Sequence, residues 1–218
     1  MTARVNPEVD DEGSAERVAE LVRVLVPCMS GSMHSGRLLR PRYTHMGAIL
    51  ADTALQAGLS YSTVVQPRIE RLLRTFPAAV SITGLCKDLS ETSASVFLNW
   101  THPEKVERFV NLVEACSSAS VDTISDFQEW VVTRIAAAAL GSIRGIGPKS
   151  VDYLRMLGGH SAVPMDRHLF RFIAMAGVRT NNYYVAQRAF IDGCVLAGLD
   201  PDYAERELWR LMRDLRLS

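Results

Sequence analysis

The sequence predicts an all-α fold, and three observations carry that expectation. Apolar residues recur at helical spacing along most of the chain. Glycines, prolines and capping residues fall where those apolar stretches begin and end. No segment shows the strict apolar–polar alternation of a half-buried strand. The 218 residues are 48% hydrophobic and 22% charged, which suits a soluble globular chain forming one large domain or two small lobes.

The segment 1–13 is acidic and polar and reads as a flexible tail, without the basic and apolar regions of a signal peptide. The domain proper is expected over 14–218. Ser14 is placed to cap a helix over Glu16 to Val26, with Val18, Leu21, Val22 and Leu25 on one face, and Pro27 ends it. A Gly/Ser-rich stretch from Ser30 to Gly36 leads into a basic loop, Arg37 to Arg42. An apolar helix follows from Met46 to Gln56 and closes at Gly58. Pro67 begins or bends a helix through Ile69, Leu72 and Leu73 that stops before Pro77. Thr101-His-Pro-Glu104 has the form of a capping box and opens a helix to about Cys116. Ser125 to Gln128 has the same form and opens a helix into the alanine run 136–139. Two more helices close the chain, one from after Asn182 to Ala197 and one from the Asp200-Pro201 start.

Composition excludes some functions. No run of about 18 apolar residues is present, so no membrane span or membrane partner is expected. The cysteines at 28, 86, 116 and 194 are too dispersed for a short metal-binding knuckle and read as buried, reduced thiols. Net charge is zero, but its distribution is uneven. Between Arg134 and Arg171, six basic residues face only Asp152 and Asp166. This excess reads either as a solvated surface or as the footprint of an anionic partner.

The segment Ile143-Arg-Gly-Ile-Gly-Pro-Lys-Ser150 favours the second reading. Gly145 and Gly147 suit a tight interhelical turn and allow backbone N–H groups to approach a phosphate. Pro148 fits the first position of the next helix, whose positive end favours an anion. Ile146 is placed to plug the turn. Such a turn grips backbone phosphate without reading bases. An ordinary helix–helix turn with two glycines is the alternative.

These residues resemble the helix–hairpin–helix element of the helix–hairpin–helix–GPD superfamily of base-excision DNA glycosylases, which includes endonuclease III and the 8-oxoguanine glycosylases. The resemblance runs through Gly145-Ile146-Gly147, Lys149, the stretch Ser150 to Leu157, Gly158-Gly159 and Val163-Pro164-Met165-Asp166-Arg167-His168. Lys149 and Asp166 are 17 residues apart, as is typical of that family. The strong similarity covers about 134–176, with weaker similarity in helix order from about 44 onward. It implies a two-lobed helical fold with an active-site cleft between the lobes.

The resemblance also implies roles. Lys149 would attack the sugar C1′ as a neutral amine, displacing the base and leaving a Schiff base that permits β-elimination. Burial and the helix N-terminus would lower its pKa. Asp166 would stabilise positive charge developing on the sugar or help deprotonate the nucleophile. The plain alternatives are a phosphate contact for Lys149 and an N-cap for Asp166, and the two roles of Asp166 are compatible. Lysine is scarce, with only Lys87, Lys105 and Lys149 against 21 arginines, which favours a titratable amine at position 149. DNA contacts are expected from Arg144, Gly145, Ile146, Gly147, Ser150, Arg167 and His168, with a structural role for His168 as the alternative. Leu55-Gln56-Ala57 resembles the family segment that fills the gap left by a flipped base, which makes Gln56 the candidate wedge. Tyr43, Tyr61, Phe97 and Trp100 are candidates for the base pocket or, more simply, for the core.

The chain lacks the four clustered cysteines that hold an iron–sulfur cluster in many relatives, so no cluster is expected. An alkali-metal ion held by backbone carbonyls around Gly145 and Gly147 is also in keeping with the resemblance. The expected function is that of a glycosylase, with AP lyase activity through Lys149, acting as a monomer on double-stranded DNA that holds a damaged or mismatched base. Its expected location is the bacterial cytoplasm or the nucleus. A monofunctional glycosylase using water, or a non-enzymatic helix–hairpin–helix DNA-binding protein, are the alternatives.

Overall fold

The computed structural model describes residues 11–26 and 43–214. Among these, every regular element is helical. In chain order they are α1 (Asp11–Leu25), α2 (Met46–Leu55), a π-helical turn (Tyr61–Val65) running into α3 (Gln66–Thr75), α4 (Ile82–Glu91), α5 (Ala94–Leu98), α6 (Pro103–Ser118), α7 (Ile124–Val131), α8 (Arg134–Gly141), α9 (Pro148–Leu157), α10 (Arg167–Met175), α11 (Tyr183–Leu196) and α12 (Pro201–Asp214). No described helix is long and apolar enough to cross a membrane. The segments 1–10, 27–42 and 215–218 lie outside the described residues, so the expected Gly/Ser stretch, the basic loop and Cys28 are not placed.

The chain divides into two compact units, Leu38–Ala162 and a second that joins Met1–Arg37 to Val163–Ser218. In the first, α2 is buried along its whole length. Around it lie the faces of α3 (Ile69, Leu72), α4 (Ile82, Leu85) and α6 (Phe109, Leu112, Val113, Cys116). The α6 set recurs at three- and four-residue steps, as a helix packing one face inward requires. Aromatic rings fill the middle of this unit. Phe97 stacks on Phe109 at 5.3 Å and meets Phe76 at 4.6 Å. Phe97 is therefore a core residue, the plainer of its two readings.

In the second unit, α1 packs on α11, with α10 and α12 completing a core of Val18, Val22, Leu169, Phe172, Phe190 and Leu208. Gly193 permits the close approach of α11 to α1. A Cβ there would lie 2.4 Å from Val18 Cγ1 and 2.6 Å from Val18 Cβ. Arg23 of α1 also donates to the Leu196 carbonyl near the end of α11.

Several boundaries differ from expectation. α1 begins at Asp11, so residues 11–13 are helical rather than part of a tail. Ser14 is inside the helix, fully buried, with its hydroxyl accepting from Arg17 at 3.3 Å. It is therefore not a cap. The box expected at Thr101 does not form. Pro103 takes the first helical position, which makes His102 the N-cap, and no side chain caps the turn. The second box lies two residues earlier than expected, where Thr123 accepts from Asp126 N and Asp126 accepts from Thr123 N. The single helix expected from there is two, because Thr133 is extended and its hydroxyl accepts from Ala136 N at 3.0 Å, starting α8 afresh. The short helices α4 and α5, capped by Ser81 and Ser93, had no expectation. Cys116 and Cys194 are buried thiols that burial pushes up to about 12, but Cys86 is exposed, contrary to expectation.

The α1–α11 contact is expected to fail in Gly193→Ala. Overpacking of this kind costs about 1–3 kcal/mol, read as a lowered midpoint in urea denaturation. Adding Val18→Ala should restore part of the loss, because the two side chains compete for one space. An unchanged midpoint in the single variant would refute the close-packing account.

Candidate functional site

The turn between α8 and α9 has the local features read from its sequence. Leu140 O accepts from Ile143 N at 3.1 Å, and Ile143 O accepts from Ile146 N at 2.9 Å, so the chain reverses in a tight turn. Gly145 sits at φ +83°, a left-handed conformation that strains any residue with a Cβ. Ile143 and Ile146 are buried and anchor the turn from inside. Gly147 is the N-cap of α9, Pro148 follows it, and no side chain caps that opening turn. Glycine there leaves the helix start open to an outside acceptor, at the positive end of the helix. Ser150 is buried, with its N–H donating to Gly147 O at 2.9 Å. Arg144 extends outward beside Glu104 at 3.0 Å. Such an exposed pair contributes little to stability.

The turn is tied to the end of α2 by α6. Arg108 donates from Nε to Arg144 O at 3.2 Å and from Nη1 to Ala54 O at 3.4 Å. Its guanidinium occupies the space a Cβ at Gly145 would need. One turn earlier on α6, Lys105 donates to Ala54 O, Leu55 O and Ala57 O at 3.3, 3.0 and 2.7 Å. These are last-turn carbonyls of α2 and the loop beyond it, and a cation is favoured at that negative end. Burial pushes the Lys105 amine down to about 8, helped by Arg108 and opposed by Glu104. The three carbonyls favour its charged form.

Gln56, the C-cap of α2, is thereby held where its Oε1 accepts from Lys149 Nζ at 3.2 Å. Two residues 93 apart in sequence, both singled out through the same family resemblance, meet here. One turn away along both helices, Tyr153 OH donates to Asp52 Oδ1 at 3.0 Å. Asp52 is fully buried, and its Oδ2 accepts from Tyr43 OH at 2.8 Å. The Tyr43 hydroxyl lies 3.1 Å from that of Tyr61. Tyr43 and Tyr61 thus serve a buried carboxylate. Trp100, half-buried, carries the Arg68 guanidinium 4.6 Å above its ring.

At its other end, α2 is capped by His45. The Phe76 carbonyl can only accept, so the Nε2 contact at 2.8 Å places the proton on Nε2. Nδ1 then accepts from Ala48 N at 3.1 Å. Burial pushes this imidazole below its ordinary value, against the Phe76 carbonyl and Asp88, which raise it.

Asp166, Arg167 and His168 belong to the other compact unit. Asp166 is the N-cap of α10, with Oδ1 accepting from His168 N at 2.8 Å and Leu169 N at 3.0 Å. The plain capping reading therefore holds. It uses one oxygen, which leaves Oδ2 outside the capping bonds and compatible with a second role. Arg167 is exposed. His168 is buried, with a long 3.5 Å contact from Arg167 Nε to its Nε2.

Sequence reasoning singled out neither Asp52 and Tyr153 nor Lys105 and Arg108. Asp52 had a signal, since it is the one charged residue within an otherwise apolar helix. Lys105 and Arg108 had none, because a polar helix face looks alike whether it meets water or backbone carbonyls. No three His, Cys, Asp or Glu side chains gather into a metal-holding group among the described residues. Comparison with protein-family models, with curated proteins and with solved structures yields no match for the chain.

The His45 cap makes stability depend on pH. Its folded pKa lies below 6.5, so the contribution of the neutral ring is fully present above 6.5 and is lost as pH falls through the lowered value. Acidification from pH 7 to pH 5 is expected to destabilise the native protein more than His45→Asn, which keeps an N-cap that does not titrate. Chemical denaturation at the two pH values tests this, and equal losses would refute it.

Proposed function

We propose that this chain is a base-excision DNA glycosylase with AP lyase activity, in which Lys149 is the nucleophile and Asp166 the catalytic carboxylate. The observation that carries the reading is the meeting of the Lys149 amine and the Gln56 side chain at 3.2 Å. A nucleophile must stand where the flipped nucleotide's sugar arrives, and the residue filling the vacated stack must stand beside it. The contact between a lysine and a glutamine from different parts of the chain supports the reading.

In this reading the α8–α9 turn is a helix–hairpin–helix motif, and its open, glycine-capped helix start holds one backbone phosphate. The left-handed Gly145 and the buried Ile143 and Ile146 support it by giving the turn a rigid interior. Ser150 is buried, so its part is confined to the backbone of that first turn. Arg144 and Arg167 supply exposed positive charge, and the buried His168 lies beside Arg167.

The chemistry then proceeds in familiar steps. The base leaves the duplex stack and Gln56 fills the gap. The neutral Lys149 amine attacks C1′ as the bond to the base breaks, and the Asp166 carboxylate stabilises positive charge on the sugar. The nitrogen lone pair then expels O4′, which takes up a proton as the C1′–O4′ bond opens, and the resulting protonated Schiff base acidifies C2′ and allows β-elimination of the 3′ phosphate. The substrate class is duplex DNA holding a damaged or mismatched base.

Borohydride trapping on duplexes with an abasic site or a damaged base tests the nucleophile. Native protein is expected to give a covalent complex, and Lys149→Gln none. Base release without trapping would make water the nucleophile and Lys149 a DNA contact. DNA binding without base release across a broad lesion panel would leave a binding protein.

The two roles of Asp166 separate by substitution. Asp166→Asn keeps a good N-cap and should hold native stability while abolishing base excision. Asp166→Ala should also lose about 1 kcal/mol of stability. Retained excision in the Asn variant would overturn the catalytic assignment.

A further inference from the structure

A carboxylate in the middle of a fully buried helix calls for a physical explanation. Stability alone would favour an apolar residue at position 52, because removing a carboxylate from water is costly even when it is well bonded. Asp52 nevertheless lies at 0% exposure, with one oxygen on Tyr153 and the other on Tyr43. Buried polar pairs of this kind are best attested as devices that fix the register of packed helices.

The register is visible in the pairing. On α2, Asp52 and Gln56 stand four residues apart on one face. On α9, Lys149 and Tyr153 do the same. The two helices are therefore joined by two rungs, Asp52 with Tyr153 at 3.0 Å and Gln56 with Lys149 at 3.2 Å. Apolar side chains tolerate sliding and rotation by fractions of an ångström, whereas a hydrogen bond to a short carboxylate does not. A lysine amine rides on four rotatable bonds, so its position depends on how accurately its backbone is held.

We infer that Asp52, acting through the Tyr153 hydroxyl, is a positioning residue that sets α9 against α2 so that the Lys149 amine stands at Gln56. The inference rests on the proposed glycosylase reading for its catalytic consequence, but the placement of the amine can be tested without DNA. Tyr43 completes the arrangement by occupying the second oxygen of Asp52, with Tyr61 beside it.

The test uses the full chain and three variants. Tyr153→Phe removes one hydroxyl. Asp52→Asn keeps an acceptor oxygen without the charge. Asp52→Leu removes both. The first measurement is labelling by acetic anhydride, read by mass spectrometry as the rate at Lys149 relative to exposed Lys87 in the same molecule. Tyr153→Phe and Asp52→Leu are expected to change that ratio severalfold, and Asp52→Asn less. The second is borohydride trapping on abasic duplex at saturating DNA. Loss of one orienting hydrogen bond is expected to slow trapping about tenfold in Tyr153→Phe while DNA affinity changes less than about twofold.

A Tyr153→Phe protein that is folded and less stable, yet keeps the native labelling ratio and trapping rate, would overturn the inference by showing that the rung only stabilises. Should Asp52→Leu not fold, Tyr153→Phe decides alone. Absence of trapping in the native protein would bring down the nucleophile role of Lys149, and the labelling ratio would still report whether Asp52 positions the amine.

Discussion

The structure of the larger unit follows from one constraint, the complete burial of α2. A helix buried on all sides cannot leave its unpaired end groups or its polar side chains to water. Each must be met by protein. The His45 ring meets the Ala48 N–H and the Ala79 carbonyl meets that of Gly47, while Lys105 and Arg108 meet the C-terminal carbonyls. Tyr43 and Tyr153 meet Asp52, and the Thr53 hydroxyl turns back to Ile49 O at 2.9 Å. The partners outside the helix come from separate places in the chain, so satisfying one helix organises α6, α9 and the loop before α2 around it.

That organisation places the proposed site. Arg108 serves the end of α2 and the α8–α9 turn with one guanidinium, so the two elements that carry Gln56 and Lys149 share a support. The planar, multidonor guanidinium suits such a bridge better than an ammonium would. Lys105 shows the opposite use of a cation, a single point charge gathered by three carbonyls. Such supports tie the end of α2 and the α8–α9 turn to α6 through hydrogen bonds, and accurate placement of a reacting group depends on ties of this kind.

The two units solve different problems. In the unit of Leu38–Ala162, polar groups buried with α2 demand directional partners. In the other, the α1–α11 contact is made by small and β-branched residues packed so closely that Gly193 has no room for a methyl group. Asp166 belongs to that second unit and spends one oxygen on a helix cap. A carboxylate held this way is oriented by its own backbone, and its free side is fixed in direction without help from a neighbouring side chain.

Local chemistry made much of this protein readable from its sequence. The all-helical character, the starts of α10, α11 and α12 and the Gly145–Pro148 turn follow from spacing, caps and backbone preferences, which act over a few residues. The boxes read at Thr101 and Ser125 were misplaced by one and two residues, because a local capping pattern does not fix where packing starts the helix axis. The pairing of Gln56 with Lys149, the burial of Asp52 against Tyr153 and the carbonyl-gathering role of Lys105 were decided only by tertiary structure. They join residues that are distant in sequence, and a polar side chain carries no local mark of whether its partner will be water or a buried group across the core.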